Sequence, residues 1–407
     1  MHIVLLGARA EVMDELLDLG HTLTVLYVEW NRGTAERYAD RLAHIGFVPD
    51  FDVPELAWSV LLHLGVADEV DLVIPCHELA MVTAGFLNRL LGLEATERID
   101  VRMAMAGRDK AFQKSLWTAH GVPTARCTTL TTTPLSAEEL DKALVGLSAP
   151  YVVKPPSGGG SRDVRVCESA ADLFEVLTTT PALRHAVVEE MQQGREWHLD
   201  GVVVDGRIVH FVVSRYMAPL RETKNGSTLR SVAFPPAAHP ELYATATDFA
   251  QRAVTALGGT CGVFHLEVFG EPGSFTAGEL GWRPAGVFAP NTSRHTIGLN
   301  PWVAHARLLA GEPLREPEPV DGAVYGFACL PVKPGAANGV TQDDVEALPG
   351  VVEVLMAVQP GQVMRDMVTS TTCVALALIR ADSIEDCERA IDEAVRLTHE
   401  LHDRKSA

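Results

Sequence analysis

Two strand-like runs at residues 262–269 (GVFHLEVF) and 275–283 (FTAGELGWR) constrain this chain most tightly. They are joined by Glu271-Pro-Gly-Ser, a composition suited to a hairpin connection. Strand alternation puts Val263, His265, Glu267 and Phe269 on one face and Phe264, Leu266 and Val268 on the other. In the second run Ala277, Glu279, Gly281 and Arg283 share a face. A hairpin centred on Gly273 sets Glu267 directly opposite Glu279. Two carboxylates at that distance repel unless something positive sits between them. A hard divalent cation is the natural occupant of such a pair.

The rest of the chain frames this hairpin. At 407 residues it exceeds what one hydrophobic core organises, so roughly two to four domains are expected. The net charge of −19 argues against a phosphate backbone or an anionic membrane as the main partner. Nucleotide binding needs only a few placed cations and is not excluded. The 7 cysteines are scattered and form no CxxC, which predicts neither a disulfide framework nor a zinc site and fits a reducing cytoplasm. The opening MHIVLLGARAEV has no basic leader region and reads as a first strand. No apolar run approaches the roughly 20 residues of a membrane helix. A cytoplasmic protein acting on small molecules is expected, with neither nucleic acid nor membrane as partner.

Strand runs at 2–6, 22–28 and 71–75 alternate with helical patterns at 11–19 and 78–91, predicting a parallel sheet wrapped by helices. GARAEV after the first strand lacks the GxGxxG spacing of a dinucleotide fingerprint. Residues 109–120 read as a helix closed by Gly121, with Pro123 just beyond. Strands recur at 151–154, 164–167, 186–190, 198–204 and 208–213, with helices near 170–178 and 240–257. The Pro-rich, charged segment 312–320 (GEPLREPEP) is the best linker. Beyond it, strands at 323–331, 351–358 and 373–379 precede a final amphipathic helix at 384–402.

Four motifs carry chemistry. In YVVKPPSGGGSRDVRV, Lys154 closes a strand and the loop Ser157, Gly158, Gly159, Gly160, Ser161 follows. Glycines let several backbone amides converge on one anion, and a mobile loop can close over phosphates. No GxxxxGK[ST] pattern occurs, so a nucleotide site must belong to another architecture. In VVEEMQQGREWHLDG, Glu189, Glu190 and Met191 end one strand and Glu196 opens the next. That arrangement suits an adenine-binding backbone hinge and a carboxylate for the ribose hydroxyls. Lys110 stands at a helix start beside Asp109. The fourth motif is the Glu267/Glu279 pair with Arg283.

In this order the motifs resemble those of the ATP-grasp superfamily of ATP-dependent carboxylate–amine ligases, over nearly the whole chain. The resemblance implies an α/β fold with a Rossmann-like βαβ pre-domain (1–100) and a small lid subdomain (101–187). A large subdomain carrying the metal and substrate site (188–315) and a C-terminal α+β segment (316–407) would follow. It also implies ATP with Mg²⁺ (or Mn²⁺), small-molecule carboxylate and amine substrates, and a homodimer. Lys110 and Lys154 match lysines that contact the ATP phosphates, and the glycine loop matches the lid over the triphosphate. Glu189, Glu190 and the backbone at Met191 match the adenine hinge, Glu196 the ribose acid, and Glu267 and Glu279 the Mg²⁺ ligands. Arg283 matches the arginine that holds the acyl phosphate or the tetrahedral intermediate. The family also places a basic residue on its middle strands, for which Arg215 is the candidate, with Lys224 and Arg230 behind it. His265 reads as a hydrogen-bonding partner of this face. Asn291, Ser293, Arg294 and His295 are candidates for the substrate pocket.

One departure stands out. The usual family pattern is Glu-x-Asn-x-Arg, whereas this chain reads Glu279-Leu-Gly-Trp-Arg283, and Gly281 offers no side-chain oxygen. A Glu-x-Gly-x-Arg variant is similar to what L-amino acid (dipeptide) ligases show, so ligation of amino-acid-like substrates is expected. The competing readings are a carboxylase of the biotin or aminoimidazole type and a nucleotide-binding regulator without catalysis.

Overall fold

The computed structural model describes residues 1–93, 98–134, 136–225, 227–364 and 369–405. The N-terminal region forms a parallel sheet from β1 (His2–Leu6), β2 (Thr22–Tyr27), β3 (His44–Phe47) and β4 (Leu72–Pro75), in the order β3-β2-β1-β4. β1, β2 and β4 are almost wholly buried, as strands covered on both faces must be. β3 (HIGF) has no apolar periodicity that would predict a strand. It pairs with β2 at the sheet edge, where a Cβ on Gly46 would stand 2.5 Å from Val60. Glycine there lets the helix Pro54–Leu64 pack directly on the edge strand.

A second, antiparallel sheet comprises β5 (Cys127–Leu130), β6 (Tyr151–Lys154), β7 (Arg165–Cys167) and β8 (Ala186–Glu190), ordered β5-β8-β6-β7. The helices Ala137–Ala143 and Ala170–Thr179 close one face over a small core that includes Val153, Leu173 and Val188. β8 crosses the expected boundary at residue 187.

The remaining strands form one eight-stranded sheet, ordered β13-β12-β9-β10-β11-β14-β16-β15. They are β9 (Glu196–Val204), β10 (Arg207–Tyr216), β11 (Arg230–Phe234), β12 (Gly262–Phe269), β13 (Thr276–Gly281), β14 (Val324–Leu330), β15 (Val351–Met356) and β16 (Ala375–Ala381). The stretch 312–323 is irregular, as expected of a linker, yet β14 after it pairs with β11 before it. The C-terminal segment therefore continues the large sheet. Its last helix, Ile384–Lys405, lays Ile391 and Ala394 onto the main core. Among the described residues, no helix is long and apolar enough to cross a membrane.

The hairpin carrying the two facing carboxylates is β12–β13. Glu267 pairs with Glu279, and His265 with Gly281, as a turn centred on Gly273 requires. Nearer the turn the register slips by one residue, so Val268 pairs with Ala277. Ala277 is thereby turned into the core and does not share the face of Glu279.

Candidate active site

The pre-domain, the small antiparallel sheet and the large sheet enclose a cleft of about 990 Å³, at the upper end of the range for small-molecule sites. Strand alternation supplies its floor. Glu196 and His198 on β9, Tyr216 on β10, His265 and Glu267 on β12, and Glu279 and Gly281 on β13 all line it.

Lys110 enters from the start of the helix Lys110–Ala119, where Asp109 Oδ1 accepts the Phe112 amide at 2.9 Å. Gln113 of that helix clamps it to β13, donating to Leu280 O at 2.6 Å and accepting the Leu280 amide at 3.0 Å. Lys110 Nζ consequently reaches Glu279 Oε1 at 2.8 Å and the Gly158 carbonyl at 2.7 Å. One lysine thus touches both the metal-type carboxylate and the glycine loop.

Lys154 Nζ lies 2.5 Å from Glu189 Oε1, and Lys114 Nζ lies 2.8 Å from the other Glu189 oxygen. Burial would push the Glu189 carboxyl up, but Lys114 and Lys154 hold it at about 2. Glu189 is therefore a fixed anion that positions two lysines, and its side chain is committed to them. Sequence reasoning misses Lys114, although it lies one helical turn beyond Lys110 on the same face.

Met191 lines the cleft, with its amide donating to Pro150 O at 2.9 Å. Glu190 points elsewhere. It pairs with Arg126 at 2.6 Å, accepts the Ser148 amide at 2.8 Å and does not line the cleft. Arg215 is also corrected. Alternation on β10 turns it to the face opposite Tyr216, over the Trp197 and Phe234 rings, where it pairs with Glu388 of the last helix. Arg230 pairs with Asp392 of the same helix, and the Lys224 side chain lies outside the described residues. Asn291, Arg294 and His295 converge on Glu353 of β15 and stand away from the cleft. Ser293 lines a separate small cavity beside the sheet.

Ser157, Gly158, Gly159, Gly160 and Ser161 form the cleft's rim. Gly160 and Ser161 adopt φ of 61° and 56°, which curls the tip toward Ser370, whose amide donates to Gly160 O at 3.3 Å. A Cβ on Gly159 would stand 3.3 Å from the Glu78 carboxylate.

Glu78, just after β4, belongs to none of the four motifs. It pairs with Arg283 and, at 2.8 Å, with the buried Arg108, which also donates to the Ser157 carbonyl. Burial opposes its charge, but Arg283 and Arg108 hold the Glu78 carboxyl at about 2. A sequence signal did exist, since ligands of open α/β sheets bind at the carboxyl ends of strands. Glu78 locks Arg283, whose Nη1 also donates to Pro284 O at 2.8 Å.

Behind Glu267 lies a further group, of which the sequence flags only His265. Asp200 accepts from His198 Nδ1 at 2.6 Å and from His265 Nδ1 at 2.8 Å, and His265 Nε2 stands 3.6 Å from Glu267. Burial disfavours a charged ring, yet Asp200 and Glu267 raise His265 to about 9. A protonated His265 braces Glu267, as an outer partner orients a metal-binding carboxylate.

The donor set fits a divalent cation. Glu267 and Glu279 face each other across the strand pair. Burial and the charge of Glu267 push Glu196, which accepts the Leu220 amide at 2.9 Å, up to about 8. Burial is the larger cause; the smaller part, due to Glu267, is one that a cation bound at that carboxylate would relieve.

Comparison with known proteins decides the family. The ATP-grasp domain family matches residues 115–293, and the family "L-amino acid ligase C-terminal domain 2" matches residues 329–399. The chain carries an ATP-grasp domain. The L-arginine-specific L-amino acid ligase of Bacillus subtilis is 22% identical over 378 residues, covering 90% of this chain and 89% of that protein. An L-amino acid ligase from Bacillus licheniformis has a similar structure, with a TM-score of 0.74 at 20% identity, covering 99% of this chain and 97% of the other. A carboxyaminoimidazole ribonucleotide synthase from Aspergillus clavatus, solved with ATP, gives 0.72 at 18% identity, covering 98% of both chains. At these identities the structures establish the ATP-grasp fold, with its parallel pre-domain and antiparallel sheets.

Proposed function

We propose that this ATP-grasp protein is an ADP-forming carboxylate–amine ligase that joins amino-acid-like substrates through an acyl phosphate. The observation that carries this reading is the convergence of Lys110, Lys154, Glu267, Glu279 and Arg283 on one cleft beneath a glycine-rich rim. Matches of the C-terminal segment and of a full-length relative to L-amino acid ligases favour an organic acid over bicarbonate.

A substrate carboxylate oxygen attacks the γ-phosphorus of ATP, the bond to the departing ADP breaks, and an acyl phosphate forms. Mg²⁺ held by Glu267 and Glu279 supplies neutralisation of phosphate charge when bound. Lys110 pairs with Glu279 here and would be free to turn to the phosphates if that carboxylate held a cation. Lys154, fixed by Glu189, provides a second positive charge there. An amine then attacks the acyl carbon and phosphate leaves. Arg283 holds the oxyanion of the tetrahedral intermediate, a task that suits its planar fork. The glycine rim excludes water, which would otherwise hydrolyse the acyl phosphate.

The test is ADP release with product analysis over pairs of L-amino acids, with and without bicarbonate. Amino-acid-dependent ADP together with a new amide supports the ligase. Strict bicarbonate dependence would replace it with a carboxylase, and ATP binding without turnover would replace it with a regulator.

A further inference from the structure

The pre-domain wall of the cleft carries a cation that the ligation steps do not use. Arg9 follows β1, and His77 and Glu78 follow β4. In the order β3-β2-β1-β4, successive connections leave β1 toward opposite edges, so the crevice between β1 and β4 is the topological switch point. Arg9 sits at this crevice and lines the cleft together with His77, Trp302 and Arg283.

Arg9 is built in place yet poorly paired. Its guanidinium lies 3.9 Å over the Trp302 ring, and Trp302 belongs to the helix Pro301–Ala310, which packs on the pre-domain core. Its carboxylate neighbour, Glu11, stands 3.9 Å away and is 40% exposed. Arg9 Nε is buried with no hydrogen-bond partner among the described residues. By contrast, Lys110, Lys154, Arg108 and Arg283 each hold a carboxylate at 2.8 Å or closer. Around His77 the charges of Arg9, Arg108 and Arg283 meet Glu78, Asp52 at 3.7 Å from Arg108, and the partly exposed Glu11 at 3.9 Å from Arg9. Burial, with those arginines, lowers His77 to about 4, so the ring adds no charge at neutral pH. Of the three guanidiniums, Arg9 is the one that lacks an anion at hydrogen-bond distance among the described residues.

Ligation supplies that anion. The acid substrate's carboxylate is consumed in forming the acyl phosphate, whereas an α-amino acid serving as amine donor keeps its carboxylate into the product. We propose that Arg9 binds this retained carboxylate, making the amine donor a free α-amino acid presented from the pre-domain wall. The assignment rests on the ligase reading of the cleft. Trp30, 62% exposed and tilted against His77 at 5.0 Å, forms an aromatic lip beside this position for the donor side chain.

The test measures binding of each of the twenty common L-amino acids and of its carboxamide to the full chain with ADP and Mg²⁺. Wild type is compared with Arg9→Gln and Arg9→Lys. At least one amino acid should lose tenfold or more affinity in Arg9→Gln while its carboxamide loses none, and Arg9→Lys should restore part of the loss. In ligation assays the donor KM should rise by the same factor with the KM of the acid substrate unchanged. Equal losses for acid and carboxamide, or a rise confined to the acid substrate's KM, would overturn the proposal. So would loss of ADP binding in both variants, which assigns Arg9 to the scaffold. A wild type that binds amino acids through Arg9 but makes no amide would sink the ligase reading instead, so the two failures are distinguishable.

Discussion

A carboxylate gripped by two buried lysines stays charged because they are charged, and at Glu189 that charge is tied to stability. Its folded-state pKa, about 2, lies below the ordinary value of 4.5. The stabilisation is therefore complete above pH 4.5 and is lost as pH falls from there toward 2. Glu189→Gln should cost on the order of 3 kcal/mol at neutral pH, because Lys114 and Lys154 are left buried without compensation. The gap to wild type should close as pH falls through that window, which denaturant unfolding at several pH values checks. Glu279→Ala and Arg283→Ala should both abolish amide formation, but only Glu279→Ala should weaken nucleotide binding, as read by titration with ATP and Mg²⁺. Equal losses of ATP affinity would refute that division. At this scale the sequence is partly legible. Lys110, Lys154, Glu267, Glu279 and Arg283 stand at strand or helix ends with recognisable neighbours, and all line the cleft. Arg215 and Glu190 fall on the wrong side because alternation gives two faces without saying which one is wet. Glu78 and Arg9 are hidden because they reach the cleft from a different sheet, at separations no local pattern encodes.

Among the elements, the β12–β13 hairpin is readable to the residue at its far end and misleading near its turn. Pairing of Glu267 with Glu279 follows from the turn centre, whereas the slip at Ala277 has no composition cue beyond Gly278. The strands of the pre-domain announce themselves by apolar runs. β3 does not, since an edge strand shaped by the packing of a neighbouring helix needs a small residue more than a hydrophobic one. The glycine rim behaves as a fitted part. A Cβ on Gly159 would press within 3.3–3.5 Å of the Glu78 carboxylate, which holds Arg283. Gly159→Val should raise the KM for ATP about tenfold and lower kcat, while changing unfolding free energy by less than about 0.5 kcal/mol, as expected for a surface loop. Steady-state kinetics and denaturant melts together decide this. A large loss of stability with unchanged kinetics would contradict it.

On the scale of the whole molecule, the pre-domain is held to the rest through the helix Pro301–Ala310. Glu15, only 4% exposed, pairs there with Arg307 and, at 2.6 Å, with Arg315 of the segment that follows the helix. Glu15→Ala leaves Arg307 without its partner and should cost about 3 kcal/mol. Calorimetry should show the loss as an earlier transition of the N-terminal region, with the large sheet melting as before. Simultaneous melting of both would mean that the two are one cooperative unit. The linker between residues 312 and 323 invites division of the chain at that point, but the large sheet runs straight across it, β11 to β14. Anyone grafting the C-terminal portion of one such protein onto another would cut a hydrogen-bonded ladder and expose two raw strand edges. The heritable unit for recombination is the whole of β9 to β16, and chimeras joined ahead of β9 are the ones that should remain soluble.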